Sequence, residues 1–147
     1  MIANVTWHLG GYSSADATAE AFYGYERETT VYSGRPTSTT GYIGLMYPSD
    51  YGYSVLSSSC ARTTNLGSYN TATCAGQSWL YGKGYEWTLT PNFSYSSDVF
   101  VLDNNGYLYS SHYADFGYGS RPVLYLDALV YKIDGDGSLE NPYIVGM

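Results

Sequence analysis

The N-terminal part of the chain contains one stretch whose apolar side chains recur every three or four positions. This spacing, over residues 14–27, places them on one side of a helix. Either Asp16 or Thr18 suits the capping position at its start, and the acidic Glu20 suits the first turn. Gly24 weakens the pattern towards its end. We therefore predict one helix within residues 14–27.

After this helix, short apolar runs alternate with turn-forming residues, which is typical of short strands. The strongest hairpin signal is Asn105-Gly106, which joins a run at 97–102 to a run at 107–109. Pro48-Ser49-Asp50 is a turn signal that ends another run. The remaining predicted strands are residues 42–47, 79–81, 86–90, 122–126, 130–133 and 143–145.

The order of these runs predicts how some of them pair. Residues 79–81 and 86–90 bracket a Gly82-Lys83-Gly84 turn and suggest a hairpin. Residues 122–126 are the most hydrophobic run and are expected to form a central strand. A glycine-rich turn at 134–137 joins the last two runs. The pattern as a whole predicts one α+β domain over residues 1–147, with long, irregular loops.

The composition indicates a recognition domain rather than a generic α+β domain. The chain has 19 Tyr and 17 Gly, but only 13% of its residues are charged. Tyr, Ser, Gly and Asn are also enriched in antibody binding loops, because Tyr gives a large contact area at low entropic cost. The alternative is that the tyrosines serve mainly in cross-strand packing. The composition favours a secreted binding domain over an intracellular enzyme.

The net charge is −7, and the basic residues are scattered along the chain. They are Arg27, Arg35, Arg62, Lys83, Arg121 and Lys132. Without a basic patch, we expect no nucleic-acid partner and no attraction to anionic lipid. The sequence has no long apolar run and no secretory leader, so we expect that a leader or anchor ahead of Met1 has been removed.

The two cysteines, Cys60 and Cys74, enclose a polar stretch with little periodicity. A structural disulfide is favoured over two free thiols or a catalytic thiol. No histidine lies nearby to complete a zinc site, and the spacing is not Cys-x-x-Cys. A bridge over such a loop is worth roughly 3 kcal/mol. Because disulfides persist in oxidising compartments, it predicts an extracellular protein.

Catalytic and metal-binding signals are weak throughout the sequence. His8 and His112 lie far apart, and no Gly-x-Ser-x-Gly motif surrounds a serine. Residues 134–140 carry oxygen ligands at alternate positions, but they lack the length and flanking helices of an EF-hand, so a glycine-rich turn is favoured over calcium. Trp79 and Trp87 are expected in the core rather than as sugar-stacking platforms. We predict no enzyme activity, no cofactor and no metal; a glycan hydrolase is the weaker alternative.

Several motifs together resemble a known family. They are Tyr42-Ile43-Gly44-Leu45-Met46-Tyr47, the Cys60 and Cys74 pair, Trp79-Leu80, Glu86-Trp87-Thr88-Leu89-Thr90-Pro91, Gly119-Ser120-Arg121-Pro122-Val123-Leu124-Tyr125-Leu126 and the segment 135–143. Over residues 40–147 the chain resembles C-terminal domains of surface proteins, often pilin-like, from gut Firmicutes. These resemble the C-type-lectin-like fold of formylglycine-generating enzymes and of the variable proteins of diversity-generating retroelements.

The resemblance implies a C-type-lectin-like fold with a small antiparallel sheet, one or two helices and a variable ligand-binding face. In the diversified members, adenine-directed mutagenesis fills chosen positions with residues such as Tyr, Ser, Asp, Asn, His, Gly and Phe. Residues 92–118 are dominated by this set. The calcium-dependent sugar-binding triplets of lectins are absent, and the cysteines look structural. Sugar coordination through calcium and formylglycine-generating activity are therefore not carried over.

We accordingly expect residues 92–118 to present exposed Tyr and Ser side chains on one face, for a protein or cell-surface ligand. A solvent-facing hairpin without a partner is the alternative for this stretch. For the whole chain, the alternative is a structural pilus or adhesin subunit whose tyrosine-rich face packs against neighbouring subunits. The residues expected to contact the ligand are Tyr95, Asp98, Asp103, Asn104, Tyr107, Tyr109, Ser111, His112, Tyr113, Asp115 and Phe116.

Overall fold

Helices and short strands share the chain in an α+β arrangement, as the sequence predicted. The structure is a computed structural model that describes residues 1–57, 60, 63–82, 84–138 and 140–147. Helix α1 spans Ala19–Arg27 and helix α2 spans Pro48–Tyr53. The strands are β1 (Val5–His8), β2 (Ser38–Gly41), β3 (Gly44–Leu45), β4 (Glu86–Pro91), β5 (Asp98–Leu102), β6 (Leu108–Tyr113), β7 (Gly119–Ser120), β8 (Pro122–Val123), β9 (Tyr131–Asp134) and β10 (Ile144–Gly146).

The largest sheet has the strand order β6-β5-β4-β7, in which β7 runs parallel to β4 and the other neighbours are antiparallel. Two-stranded antiparallel sheets are formed by β1 with β2, by β3 with β8, and by β9 with β10. No helix in the described ranges is long and apolar enough to span a bilayer. The α+β class is confirmed in this form, and the C-type-lectin-like fold stays a prediction.

Helix α1 is shorter than its apolar pattern suggested. It begins after Thr18, whose side chain accepts a hydrogen bond from the Ala21 N–H and so provides the cap. Asp16 instead accepts a hydrogen bond from the Asn65 side chain at 2.5 Å. Gly24 lies inside the helix and does not end it.

The expected turn at Pro48-Ser49-Asp50 is wrong, because these residues begin helix α2. Proline suits the first position of a helix, where its missing N–H would have no partner. The Asp50 carboxylate accepts the Tyr47 N–H at 2.9 Å and caps the helix. The expected strand at 42–47 is consequently reduced to β3.

The two hairpins at Asn105-Gly106 and at residues 134–137 are confirmed as β5–β6 and β9–β10. The expected hairpin of residues 79–81 with 86–90 is wrong, and Lys83 of its turn lies outside the described residues. Trp79 follows an isolated bridge between Val55 and Ser78, while β4 pairs with β5 and β7. Long-range pairing therefore prevails over the local turn signal.

The expectation of a central strand at 122–126 is also wrong. Only Pro122–Val123 forms a strand, against the two-residue β3, and Leu124, Tyr125 and Leu126 are exposed. The chain then runs beside the N-terminus, where the Ala3 N–H donates to the Tyr125 carbonyl at 2.9 Å. Proline lacks the N–H that a central strand needs, and β4 and β5 take that place.

The main core lies between the helices and one face of the large sheet. Phe22 of α1 meets Phe100 of β5 edge to face, with ring centroids 5.3 Å apart. Trp79 is 75% exposed and Trp87 is partly buried, so the expectation of two core tryptophans is wrong for Trp79. Trp7 is the tryptophan with a buried ring.

The Cys60–Cys74 disulfide is confirmed, with Cα atoms 5.6 Å apart. The stretch that the disulfide encloses contributes more to the core than its polar sequence suggested. Leu66 and Tyr69, within this stretch, are completely buried in the core. The disulfide therefore holds a core-forming segment in place.

Candidate ligand-binding face

The β5–β6 hairpin positions the predicted site residues, and a bulge in β6 decides which way they point. Val101 lies opposite Tyr109, and Val99 lies opposite His112. One residue of β5, Phe100, therefore faces the two residues Ser110 and Ser111, which is the pattern of a β-bulge. Cross-strand partners share a face, so Tyr109 and His112 lie on the face opposite the core.

Around Tyr109 and His112, aromatic rings form one continuous group, here named the aromatic cluster. Its members are Tyr85, Trp87, Tyr107, Tyr109, His112, Tyr113, Phe116 and Tyr118. His112 is its centre, within 6.2 Å of four other rings. Tyr118 stacks on Tyr85 and Phe116, with centroids 4.9 and 5.6 Å apart.

The aromatic cluster covers the outer face of the sheet and is itself open to solvent. Val101 is fully buried although it lies opposite Trp87 and Tyr109, on the face away from the core. Of the cluster residues, Tyr109, Tyr113 and Phe116 are each about half exposed. The Nδ1 of His112 lies 3.0 Å from the Tyr118 hydroxyl and fixes the ring in place. The result is an ordered apolar surface with hydroxyls at its edges.

A second feature, here named the polar pocket, lies at the same end of the hairpin and has a volume of about 450 Å³. Its lining residues are Tyr32, Ser94, Tyr95, Ser96, Ser97, Asp98, Ser111 and Tyr113. Asp98 lies opposite Tyr113 in the ladder, so both lie on the sheet face opposite that of His112. Tyr113 also contacts Phe116 and joins the polar pocket to the aromatic cluster.

The other end of the hairpin holds three of the predicted contact residues. Asp103 is 3% exposed and accepts the N–H groups of Asn105 and Tyr107, at 2.9 and 2.8 Å. The carbonyl of Asn104 accepts a hydrogen bond from the Tyr81 hydroxyl at 2.6 Å. Asp103 therefore builds the turn, while Asn104 and Tyr107 lie at the surface beside it.

The expectation that the Tyr and Ser side chains share one face is wrong. The bulge separates Tyr109 and His112 from Ser111 and Tyr113. Asp115 and Phe116 occupy the exposed turn after β6, where the Ala114 N–H donates to the Ser97 carbonyl at 2.9 Å. The predicted residues thus lie at both ends of the hairpin and on both faces of the sheet.

Sequence reasoning missed three members of the aromatic cluster, namely Tyr85, Trp87 and Tyr118. They reach the hairpin because β7 pairs in parallel with β4, with the Gly119 N–H donating to the Tyr85 carbonyl at 2.9 Å. This pairing joins segments more than thirty residues apart. Only the aromatic composition of both segments hinted at it.

An ion pair between Arg121 and Glu86 lies near the site. Arg121 donates to Glu86 at 2.8 Å, at the edge where β7 meets β4. Within the residues that the structure describes, no group of three or more His, Cys, Asp or Glu side chains is placed to hold a metal ion. In the described part of the chain, ion pairs join Arg27 to Glu26 and Arg121 to Glu86. Neither pair includes a predicted site residue.

The arrangement is suited to recognition through stacking and hydrogen bonding. Ordered aromatic rings offer apolar area, and the neighbouring hydroxyls and carboxylate offer directed polar contacts. Comparison of the chain with protein-family models, with curated proteins and with solved structures finds no match.

Proposed function

We propose that this chain is an extracellular, non-enzymatic domain that displays a ligand-binding face at a cell surface or pilus. The observation that carries the proposal is the aromatic cluster, which is exposed beside the polar pocket at one end of the β5–β6 hairpin. The Cys60–Cys74 disulfide agrees with an oxidising location.

The energetics of such a surface support binding. Aromatic side chains supply much of the binding energy in interfaces, because each buries a large area. Here the rings of Tyr109, His112 and Phe116 already pack against one another, so less side-chain entropy is lost when a ligand covers them. A preorganised exposed cluster therefore fits a protein or cell-surface ligand.

The roles of the predicted residues differ within this proposal. Direct contacts are assigned to Tyr95, Tyr107, Tyr109, Ser111, His112, Tyr113, Asp115 and Phe116, which are all at least partly exposed. Asp103 supports the turn that carries Asn104, and Asp98 forms part of the wall of the polar pocket.

The proposal includes diversification of this face by a retroelement, as the resemblance implies. The exposed part of residues 92–118 is rich in Tyr, Ser, Asp and Asn, the residue types that adenine-directed mutagenesis produces. A near-identical template repeat of the coding region, beside a reverse transcriptase gene, is expected in the flanking genome. Its absence would refute diversification and leave ligand binding untouched.

Ligand binding is tested by screening the folded domain on protein and glycan arrays. The test variant replaces Tyr107, Tyr109 and Phe116 with Ala. We expect every specific signal of the wild-type domain to fall at least tenfold, since removal of a central interface aromatic costs about 2 kcal/mol or more. Affinities of the hits are then measured in solution.

The matched control replaces Tyr42, Tyr53 and Tyr131 with Ala, which also removes three exposed aromatic rings but lies outside the aromatic cluster. It is expected to keep wild-type binding. Equal losses in the two variants, or the absence of any specific ligand for the wild type, would overturn the proposal. Circular dichroism verifies that both variants are folded.

A structural pilus or adhesin subunit is the second candidate, and a separate observation favours it. Apolar side chains near the C-terminus, including Leu129, Ile133 and Ile144, are more than half exposed. Such side chains commonly mark contacts between proteins. Concentration-dependent self-association in sedimentation velocity would favour this candidate. A monomer at all concentrations would exclude self-packing of this domain.

A further inference from the structure

The polar pocket contains a buried carboxylate that lacks a cationic partner among the described residues. Asp98 is 4% exposed. The two ion pairs in the described part of the chain are Arg27 with Glu26 and Arg121 with Glu86, and neither involves Asp98. A buried carboxylate is usually paired with a cation or bound to a metal, because its desolvation is costly.

The hydrogen bonds that Asp98 accepts leave part of its capacity unused. Ser97 donates to Oδ1 at 3.1 Å, and Ser111 donates to Oδ2 at 2.5 Å. Both bonds orient the carboxylate at the pocket wall. Each carboxylate oxygen offers about two acceptor positions, so either can accept a further donor from a ligand.

The surroundings of Asp98 suit a cation. Three of the lining residues, Tyr32, Tyr95 and Tyr113, are exposed tyrosines, whose ring faces attract positive charge. A carboxylate together with aromatic rings matches the guanidinium group, which forms paired hydrogen bonds and also stacks. The volume of about 450 Å³ lies within the range of small-ligand sites.

We propose that the polar pocket binds a cationic side chain of a protein ligand, an arginine guanidinium in preference to a lysine ammonium. This inference rests on the proposed function, since Tyr95, Ser111 and Tyr113 are among its proposed contact residues. The net charge of −7 favours approach of a basic partner. A neutral sugar is disfavoured, because it would cover the Asp98 carboxylate without compensating its charge.

The test is an NMR titration of the isotope-labelled domain with acetylated amides of arginine, lysine and citrulline. Citrulline has nearly the shape of arginine but no charge. We expect arginine to shift the amide resonances of residues 94–98 and 111–113, with at least tenfold weaker binding of citrulline and intermediate binding of lysine. Higher salt concentration should weaken arginine binding.

Asp98→Asn is the decisive variant, because it removes the charge while conserving shape and hydrogen-bonding groups. We expect it to weaken arginine binding at least tenfold. Glu20→Gln, an equal charge change at an exposed position on α1, is the matched control and should leave binding unchanged. Should Asp98→Asn fail to fold, Tyr95→Leu is expected to weaken binding about threefold, and Tyr95→Phe is expected to keep it.

Equal affinity for arginine and citrulline, no binding of either, or unchanged arginine binding in Asp98→Asn and Tyr95→Leu would each overturn the inference. Its failure is distinguishable from failure of the proposed function. An array ligand that is lost in the variant lacking Tyr107, Tyr109 and Phe116 but kept in Asp98→Asn would preserve the binding face and exclude the cation.

Discussion

At the scale of single residues, Glu26 shows how strongly burial changes a side chain. Its carboxyl group is completely buried and accepts hydrogen bonds from the Ser49 N–H and hydroxyl, at 2.9 and 2.5 Å. Desolvation raises the pKa of Glu26 to about 7, although Ser49 and the neighbouring Arg27 act to lower it. Through these hydrogen bonds, this residue joins α1 to the start of α2.

We expect the stability of the protein to fall as the pH rises from about 4.5 to about 7, because the folded chain keeps a proton on Glu26 that the unfolded chain releases. The stabilisation from this retained proton is complete below the pKa of Glu26 in the unfolded chain. It is lost as the pH rises through the pKa of Glu26 in the folded chain. It amounts to about 3 kcal/mol. Urea unfolding measured across this pH range tests the slope.

Glu26→Gln conserves the shape of the side chain and removes its titration. This variant should have a flatter dependence of stability on pH and a higher stability than the wild type above pH 7. Glu20→Gln, at an exposed position on the same helix, serves as the control and should keep the wild-type slope. A wild-type slope in Glu26→Gln would show that other groups cause it.

At the scale of elements, the β5–β6 hairpin depends on both its turn and its bulge. Gly106 has a φ of 94°, in the left-handed region that favours glycine, and its carbonyl accepts the Tyr51 hydroxyl at 2.8 Å. The Asp103 carboxylate organises the same turn. Beyond Tyr109, the bulge at Ser110 and Ser111 brings His112 to the same face as Tyr109.

We expect Gly106→Ala to destabilise the protein by roughly 2 kcal/mol or more. The added Cβ would lie 2.2 Å from the Cβ of Ala75, and alanine rarely adopts the required φ. Gly24→Ala is the matched control, because a Cβ there contacts nothing within 4 Å and alanine favours the helix. Thermal unfolding should move in opposite directions for the two variants; a shared direction would contradict this account.

At the scale of the whole molecule, burial is unevenly distributed. Strand β5 carries Phe100 and Val101, which are completely buried, whereas every residue of β9 is exposed. Two-stranded hairpins contribute little stability alone. We therefore expect the large sheet with its helices to be the most stable part of the molecule and the C-terminal hairpin to open more easily.

Hydrogen exchange should show this difference directly. We expect the amides of β5 to exchange slowest, near the limit set by global unfolding, and those of β9 and β10 to exchange much faster. Amides that are hydrogen-bonded within the β5–β6 ladder serve as the reference for slow exchange. Equal protection in β5 and β9 would mean that the C-terminal hairpin is held by contacts beyond those in the described residues.

Signals that act over a few residues could be predicted from the sequence alone. Local chemistry predicted the hairpin at Asn105-Gly106, the turn at residues 134–137 and the Cys60–Cys74 bridge. It also narrowed the start of α1 to Asp16 or Thr18, of which the structure selects Thr18. The aromatic and polar character of the hairpin end also follows from composition. In each case the deciding interactions lie within a short segment, so neighbouring residues carry the information.

Only the tertiary structure decided how these parts combine. The parallel pairing of β7 with β4 brings Tyr85, Trp87 and Tyr118 to the hairpin, and the bulge at Ser110 and Ser111 divides its side chains between two faces. Trp79, which was expected in the core, is exposed. Register between distant strands depends on which packing buries the most apolar surface across the whole chain, and no local pattern contains that comparison.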